Sequence, residues 1–394
     1  MTDAVIVSAS RTPIGTAYKG TLTETSALEL ADVVVAETVR RSGLPPERFD
    51  DVVLGESMWG GGDIARHAAI TAGMVDVPGV AVNRHCASGL TSVSIAAANI
   101  RAGMDEVVLA GGVQSSSTAP RMRARVLGTE DEWTEPWMSP SHPGTAEAPS
   151  DDMSITVGWN AAKIAGVTRE EMDAWALRSH QRAVAAIDNG LFTEEIVPVK
   201  ARRRDGSLTD FAVDEHPRRG STLEKLASLK PLHPEIDGFS ITAGNSSGIN
   251  DAAAALALAS DTVVAAEGLT PLAIVRGWAS VGVDPVRTGL APVDAVRKAL
   301  RRSGVRQDEI ALWEINEAFA SVCVATTRIL GIDEENVNTS GSGCSLGHPV
   351  AASGARMLTT LVHELRRRGG GYGVAAMCAG GGQAGAVVVE VLKP

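Results

Sequence analysis

The feature that most restricts the fold is an internal repeat. Residues 40–56, R-R-S-G-L-P-P-E-R-F-D-D-V-V-L-G-E, align without a gap on residues 301–317, R-R-S-G-V-R-Q-D-E-I-A-L-W-E-I-N-E. Further on, C-A-S-G-L at Cys86 aligns with A-A-S-G-A at Ala351, and V-V-L-A-G-G ending at Gly112 aligns with A-A-M-C-A-G-G ending at Gly381. Three matches in one order, spaced by about 265 residues, describe a two-fold duplication and not a solenoid. Two similar units packed back to back bring equivalent loops to one face. Chemistry is then expected where the halves differ: Cys86 against Ala351, Gly55 against Asn316, and Cys378 in the second half alone.

Local signals name the unit that is repeated. Ala4 to Val7 is an apolar strand, and Ser26 to Glu29 is a capping box. The helix it opens carries Leu30, Val34 and Val35 and closes at Arg40-Arg41-Ser42-Gly43. Asp51 to Gly55 is the next strand, and Glu106 to Ala110 another, stopping at Gly111-Gly112. In the second half, Pro292 to Arg302 is a helix and Ile310 to Ile315 a strand. Strands alternating with helices make an α/β protein whose mostly parallel sheet is covered on both faces. The 41 glycines and the low aromatic content of 4% suit close helix-to-sheet packing.

Between about Thr118 and Asp237 the chain turns polar and rich in Trp, Pro and charge. It carries one clear helix there, capped by Thr168 to Glu171 and ended by Asn189-Gly190. The domain reading is therefore a first half, 1–118 continuing at 244–268, an inserted loop domain, 119–243, and a second half, 269–394. The inserted arginines, Arg202 to Arg204 and Arg218-Arg219, are either a solvated surface or a local basic patch for an anionic ligand. A net charge of −11 argues against nucleic acid. Cys86, Cys323, Cys344 and Cys378 are too dispersed for a disulfide framework or a zinc site. Neither a signal-peptide pattern nor a membrane-length apolar run is present, so the expected setting is cytoplasmic, without a membrane partner.

The stretch V-N-R-H-C-A-S-G-L, residues 82–90, reads as strand, tight elbow and helix, with Cys86 at the elbow. Amide N–H groups at a helix start favour a thiolate there. A thiolate accepts an acyl group and passes it on as a thioester. It needs a base, and His348 is the candidate. Amides at Gly380 to Gly382 and at the elbow suit an oxyanion, and a second thiol, Cys378, suits a second proton transfer. Each residue also has an ordinary reading: a buried structural cysteine, a helix-start histidine bonded to backbone, a core filler, a turn. Their joint appearance at matched places in a repeat favours chemistry.

The chain resembles the thiolase family, acetyl-CoA acetyltransferases and 3-ketoacyl-CoA thiolases, over essentially its whole length. The resemblance rests on residues 82–90, on T-A-G-N-S-S-G-I-N-D at 242–251, N-E-A-F-A at 316–320, G-H-P-V-A-A-S-G-A-R at 347–356 and C-A-G-G-G-Q at 378–383. It implies a duplicated five-layered αβαβα core with an inserted, CoA-binding loop domain. It implies that Cys86 carries the acyl group, that His348 activates it and shares one oxyanion hole with a water on Asn316, and that Cys378 is the acid/base. The amides of Cys86 and Gly380 would form a second oxyanion hole, and Ser247 and Arg218 would contact CoA, Arg219 being the alternative to Arg218. No bound cofactor is implied: acyl-CoA and CoA are the partners, and the protein is a homodimer or homotetramer.

Some positions depart from the family pattern. Ala351 stands where glycine is usual, S-G-S-G-C-S at 340–345 introduces Cys344, and Asp152-Met153-Ser154 replaces His-Met-Gly, which weakens an exclusive acetoacetyl-CoA preference. Residues 381–386 read G-G-Q-A-G-A where G-G-Q-G is usual. The competing readings are a decarboxylating ketoacyl synthase, which lacks a second catalytic cysteine, and a non-catalytic acyl-CoA-binding protein, which would have lost Cys86, His348 or Cys378.

Overall fold

The repeated sequence folds into a repeated set of strands. The structure is a computed structural model that describes residues 2–57, 62–135 and 138–393. First-half strands are β1 (Ala4–Arg11), β2 (Asp51–Gly55), β3 (Gly79–Val82), β4 (Val107–Gln114) and β5 (Asn250–Ser260). Second-half strands are β6 (Ala273–Gly282), β7 (Ile310–Ile315), β8 (Gly371–Ala379) and β9 (Gln383–Val391). The first half runs β3-β2-β4-β5-β1, with β3, β2 and β4 parallel and β5 antiparallel to both neighbours. The second runs β7-β8-β9-β6 in the same senses, and a parallel bridge from Trp313 to Val337 stands where β3 stands in the first. The halves join edge to edge where Val5 and Ile6 of β1 pair with Ile274 and Ala273 of β6.

Helices cover both faces of each sheet. The helices of eight or more residues are α1 (Ala27–Ser42), α2 (Ile64–Thr71), α3 (Ser88–Ala102), α4 (Arg169–Asp188), α5 (Ala291–Ser303), α6 (Ala320–Leu330) and α7 (Ser353–Arg367), of which α4 belongs to the inserted region and packs on α6. The strands bury alternate residues on opposite sides. Val107, Leu109 and Val113 of β4 pack under α1 and α2, while Val108 and Ala110 face α3 and α7. On β8, Val374, Ala376 and Cys378 face α5 and α6, while Ala375 and Met377 face the central pair. The layers are therefore α1/α2, sheet, α3/α7, sheet, α5/α6, which is the expected five-layered core.

The central helices approach closely because each has a glycine at its second position. A Cβ on Gly89 would sit 2.7 Å from the Ala355 amide nitrogen, and a Cβ on Gly354 would collide with the Leu90 amide nitrogen. The contacts are reciprocal, so the pseudo-two-fold axis passes between the two helix starts. Local signals fix the outer helices. Ser26 and Glu29 form the capping box of α1, and Gly43 and Gly304 end α1 and α5 with φ of 79° and 73°.

Two expectations change. The strand expected to stop at Gly111-Gly112 continues to Gln114. The glycines are needed inside it, because a Cβ on Gly112 would run into the Ala351 carbonyl of the helix start above. Leu54 pairs with Gly111, and its equivalent Ile315 pairs with Ala376. Gly111 thus corresponds to Ala376, and the third sequence match is four residues out of register. The inserted region also holds more than one helix. A π-helical stretch at Ser154–Trp159 runs into a helix at Asn160–Ala165, a ribbon pairs Val199–Arg202 with Leu208–Phe211, and Leu223–Ala227 is a short helix capped by Thr222. Arg11 of β1 anchors this region: fully buried, it donates to Glu195 at 2.6 Å and twice to Asp214 at 2.8 Å. Loss of either carboxylate would leave part of a buried charge uncompensated.

Candidate active site

The elbow between β3 and α3 is held by its own polar groups. Asn83 Oδ1 accepts the His85 N–H at 2.8 Å. Ser88 Oγ accepts the Arg84 N–H at 2.9 Å and donates to the His85 carbonyl at 2.6 Å. Together they keep His85 at φ 46°, the left-handed region that a non-glycine residue enters at a cost of about 1–3 kcal/mol. Cys86 follows, and it is the one cysteine of the four that keeps partial solvent access.

The turn between β8 and β9 meets this elbow. A Cβ on Gly380 would lie 3.5 Å from the His85 ring, and the Gly380 and Cys86 amides act to lower the Cys86 thiol. Gly381 and Gly382 take φ of 81° and 73°. Side chains there would strike the Ser141 and Val283 carbonyls, so only glycine allows this approach. Burial nevertheless dominates at the thiol: it pushes Cys86 up to about 11 against the two amides. The thiolate expected from the helix start is thus not the resting form, because desolvation outweighs the amide dipoles. Cys378, at the end of β8, is raised further, first by burial and then by the nearby Cys86 sulfur. Both sulfurs rest as thiols at neutral pH.

His348 comes from the second elbow, just before α7. Gly347 takes φ 105° with its open side against Asn250. Asn250 Oδ1 accepts the His348 N–H at 3.0 Å, and Asn250 Nδ2 donates to the Gly15 carbonyl at 3.0 Å. The ring lies with Nδ1 2.6 Å from Ser353 Oγ and Nε2 3.5 Å from Asn316 Nδ2. Burial, then the Arg356 charge, lower the imidazole to about 4, so it is neutral at pH 7. Asn316 ends β7. Its N–H bonds the Ala376 carbonyl at 3.0 Å, and its Oδ1 is buried without a partner. The ladder therefore sets Asn316 against the residue two before Cys378.

The remaining sequence candidates sort by what they touch. The Ser247 N–H bonds the Ala318 carbonyl at 2.9 Å, and Ile249, two residues on, bridges to His348. Arg218 is exposed, and its N–H bonds His180 Nδ1 at 3.1 Å. Burial, with the Arg218 charge second, lowers His180 and His216 to about 4. Arg219 is occupied by Asp188, at 2.7 and 2.6 Å. Among the described residues, Arg218 makes no ion pair, unlike Arg219. Cys344 is structural packing: its N–H bonds Glu317 Oε2 at 3.0 Å, and Trp175, Ser179 and Asn338 hold the same carboxylate. Asp152 caps the following turn through Ser154 and Ile155 and meets His233 at 2.7 Å. Ala351 is fully buried between the helix starts, its carbonyl against Gly89 and Gly112.

Sequence reading missed two residues, Asn250 and Ser353. Asn250 lies inside a motif that was read as a whole, and Ser353 was visible as the repeat equivalent of Ser88.

The chain matches the family model for the thiolase N-terminal domain over residues 4–262 and that for the thiolase C-terminal domain over residues 269–391. It is 42% identical to an acetyl-CoA acetyltransferase of Pseudomonas aeruginosa, covering 97% of this chain and 98% of the relative. It is 43% identical to a beta-ketoadipyl-CoA thiolase of the same organism, over 98% and 99%. Among solved structures, the Bacillus anthracis acetyl-CoA acetyltransferase aligns with a TM-score of 0.89 at 38% identity, covering 100% of this chain and 99% of that one. Human mitochondrial 3-ketoacyl-CoA thiolase aligns with a TM-score of 0.90 at 35% identity, over 99% of each.

Proposed function

This chain belongs to the thiolase family and is an acyltransferase, and on that premise we propose that it transfers acyl groups between a 3-ketoacyl-CoA and CoA through a thioester on Cys86. The observation that carries the reading is the meeting of the Cys86 elbow with the Gly380 turn, where Gly380 packs against the His85 ring, with Cys378 close to the Cys86 sulfur.

In the cleavage direction the Cys86 sulfur attacks the 3-keto carbon. Because the thiol rests near 11 and His348 near 4, proton transfer to Nε2 accompanies attack instead of preceding it. The oxyanion on the former keto carbon falls to the amides of Cys86 and Gly380. The bond between the second and third carbons then breaks. The acyl group stays on sulfur, and the released carbanion takes the Cys378 proton, leaving as acetyl-CoA. The CoA thiol gives its proton to the Cys378 thiolate and attacks the Cys86 thioester. Cys86 leaves and recovers the proton held by His348. Asn316, close to Nε2, helps hold the thioester oxygen through a water. In the reverse direction the same groups carry out a Claisen condensation.

Arg218 and Ser247 are proposed to hold CoA, from the inserted domain at 119–243 and the return segment at 244–268. No cofactor besides the CoA co-substrate is called for. Among the described residues, no helix is long and apolar enough to cross a membrane. A cytoplasmic setting and a homodimer or homotetramer complete the reading. The test is brief mixing with a 3-ketoacyl-CoA, acid quench and intact mass, followed by peptide mapping. An acyl adduct on Cys86, absent from Cys86→Ala, is expected. An adduct that survives in Cys86→Ala would sink the proposal.

A further inference from the structure

We propose that Ser353 is a positioning residue that fixes the tautomer of His348, and that Pro349 is what leaves the serine free to do so. The inference rests on the reading of His348 as the base for Cys86.

The two elbows carry the same serine. Ser88 and Ser353 each open a central helix of 15 residues, and Arg84 and Pro349 each lie four residues earlier. In the first elbow the hydroxyl gives its one proton and fills one of its two acceptor sites. It accepts the Arg84 N–H and donates to the His85 carbonyl. In the second elbow, proline removes the N–H that would fill the equivalent acceptor site. Ser353 Oγ lies 3.0 Å from the Pro349 carbonyl, which can only accept and also takes the Ala352 and Ser353 N–H groups at 2.9 Å, and we assign the hydroxyl proton to it. The lone pair that Arg84 occupies in the first copy is now turned to His348 Nδ1, at 2.6 Å.

One hydroxyl proton cannot serve both neighbours. With it on the Pro349 carbonyl, the proton between the serine and the ring must sit on Nδ1. The Nε2 lone pair then faces Asn316 Nδ2, which agrees with that amide's orientation. Nε2 can receive the Cys86 proton while Nδ1–H stays on Ser353, so no bond has to be exchanged during the reaction. Serine and imidazole are both buried. Without the hydroxyl, the buried Nδ1–H loses its acceptor and the tautomer with Nε2–H, which cannot act as a base, gains population.

The direct test is the ring-nitrogen spectrum of the full-length protein labelled with 15N-histidine, His348 being assigned from the signal lost in His348→Asn. A pyrrole-type Nδ1 and a pyridine-type Nε2 are expected at neutral pH. Ser353→Ala should mix the tautomers and slow Cys86 acylation about ten- to a hundred-fold, with KM within about twofold of wild type. Pro349→Ala, which restores a competing N–H, should move the spectrum the same way and keeps the test available if Ser353→Ala does not fold. A wild-type His348 protonated at Nε2, or a Ser353→Ala protein that acylates at the wild-type rate, overturns the proposal. Full acylation by His348→Asn would instead sink the reading of His348 as base, and leaves the tautomer result standing.

Discussion

The elbow around Cys86 and the elbow around His348 are the same piece of backbone put to different uses. Both place a serine and a glycine at the start of a 15-residue helix, and the glycines interlock at the pseudo-two-fold axis. What differs is the lead-in. Asn83, Arg84 and Cys86 in the first become His348, Pro349 and Ala351 in the second. The first copy spends its polar groups on holding a strained backbone around a sulfur. The second frees the same serine for a ring. On the proposed mechanism, a duplicated scaffold divides one reaction: each half keeps the shared packing and supplies the group that the other lacks.

The comparison can be broken most severely by moving the sulfur. Cys86→Ala should lose about 10⁴-fold or more in thiolysis, and adding Ala351→Cys should restore nothing, because Asn83 stands where the second elbow has a base. Recovery of activity and of an adduct at position 351 would mean that the elbows are interchangeable. Cys378→Ala sharpens the division of labour. It should still form the Cys86 adduct, while exchange of the acetyl-CoA α-proton in deuterated buffer falls about 10²- to 10⁴-fold. Exchange at the wild-type rate would remove Cys378 from the mechanism.

Shared packing should show as stability. Gly354→Ala forces a methyl onto the Leu90 backbone and should destabilise by about 1–3 kcal/mol in a denaturant titration. Gly103→Ala meets no neighbour within 4 Å and suffers only its left-handed φ of 70°, so a loss of about 1 kcal/mol is expected. Equal effects would argue against close contact at the axis. The smallest effect lies in the insertion. Arg218→Ala should raise KM for CoA about tenfold, and Arg219→Ala, which breaks an exposed pair with Asp188, should leave it within about twofold. The reverse pattern would exchange the two assignments.

Much of this was legible in the sequence because it is written locally. The box at Ser26 and Glu29, the left-handed glycines at 43 and 304, and the gapless match of 40–56 to 301–317 depend on near neighbours. What could not be read depends on distant ones. Gly111-Gly112 resembles Gly380-Gly381 in letters, yet the first pair makes room for the Ala254 and Ala351 carbonyls and the second lies in the turn beside His85, so the match slipped by four residues. The Cys86 thiol was expected to ionise from its place at a helix start. How far burial would oppose the amides is set by the packing of both halves. Ser353 looks like any helix-start serine until the missing N–H of Pro349 is set beside the N–H of Arg84.

The most direct measurement is the single-turnover rate at which a 3-ketoacyl-CoA acylates Cys86 in His348→Asn, the variant that gives the second elbow the residue of the first. A slowing of about 10²- to 10⁴-fold, with CoA affinity unchanged, is expected if the sulfur of one half relies on the imidazole of the other. Acylation at the wild-type rate would show that Cys86 needs nothing from the second elbow.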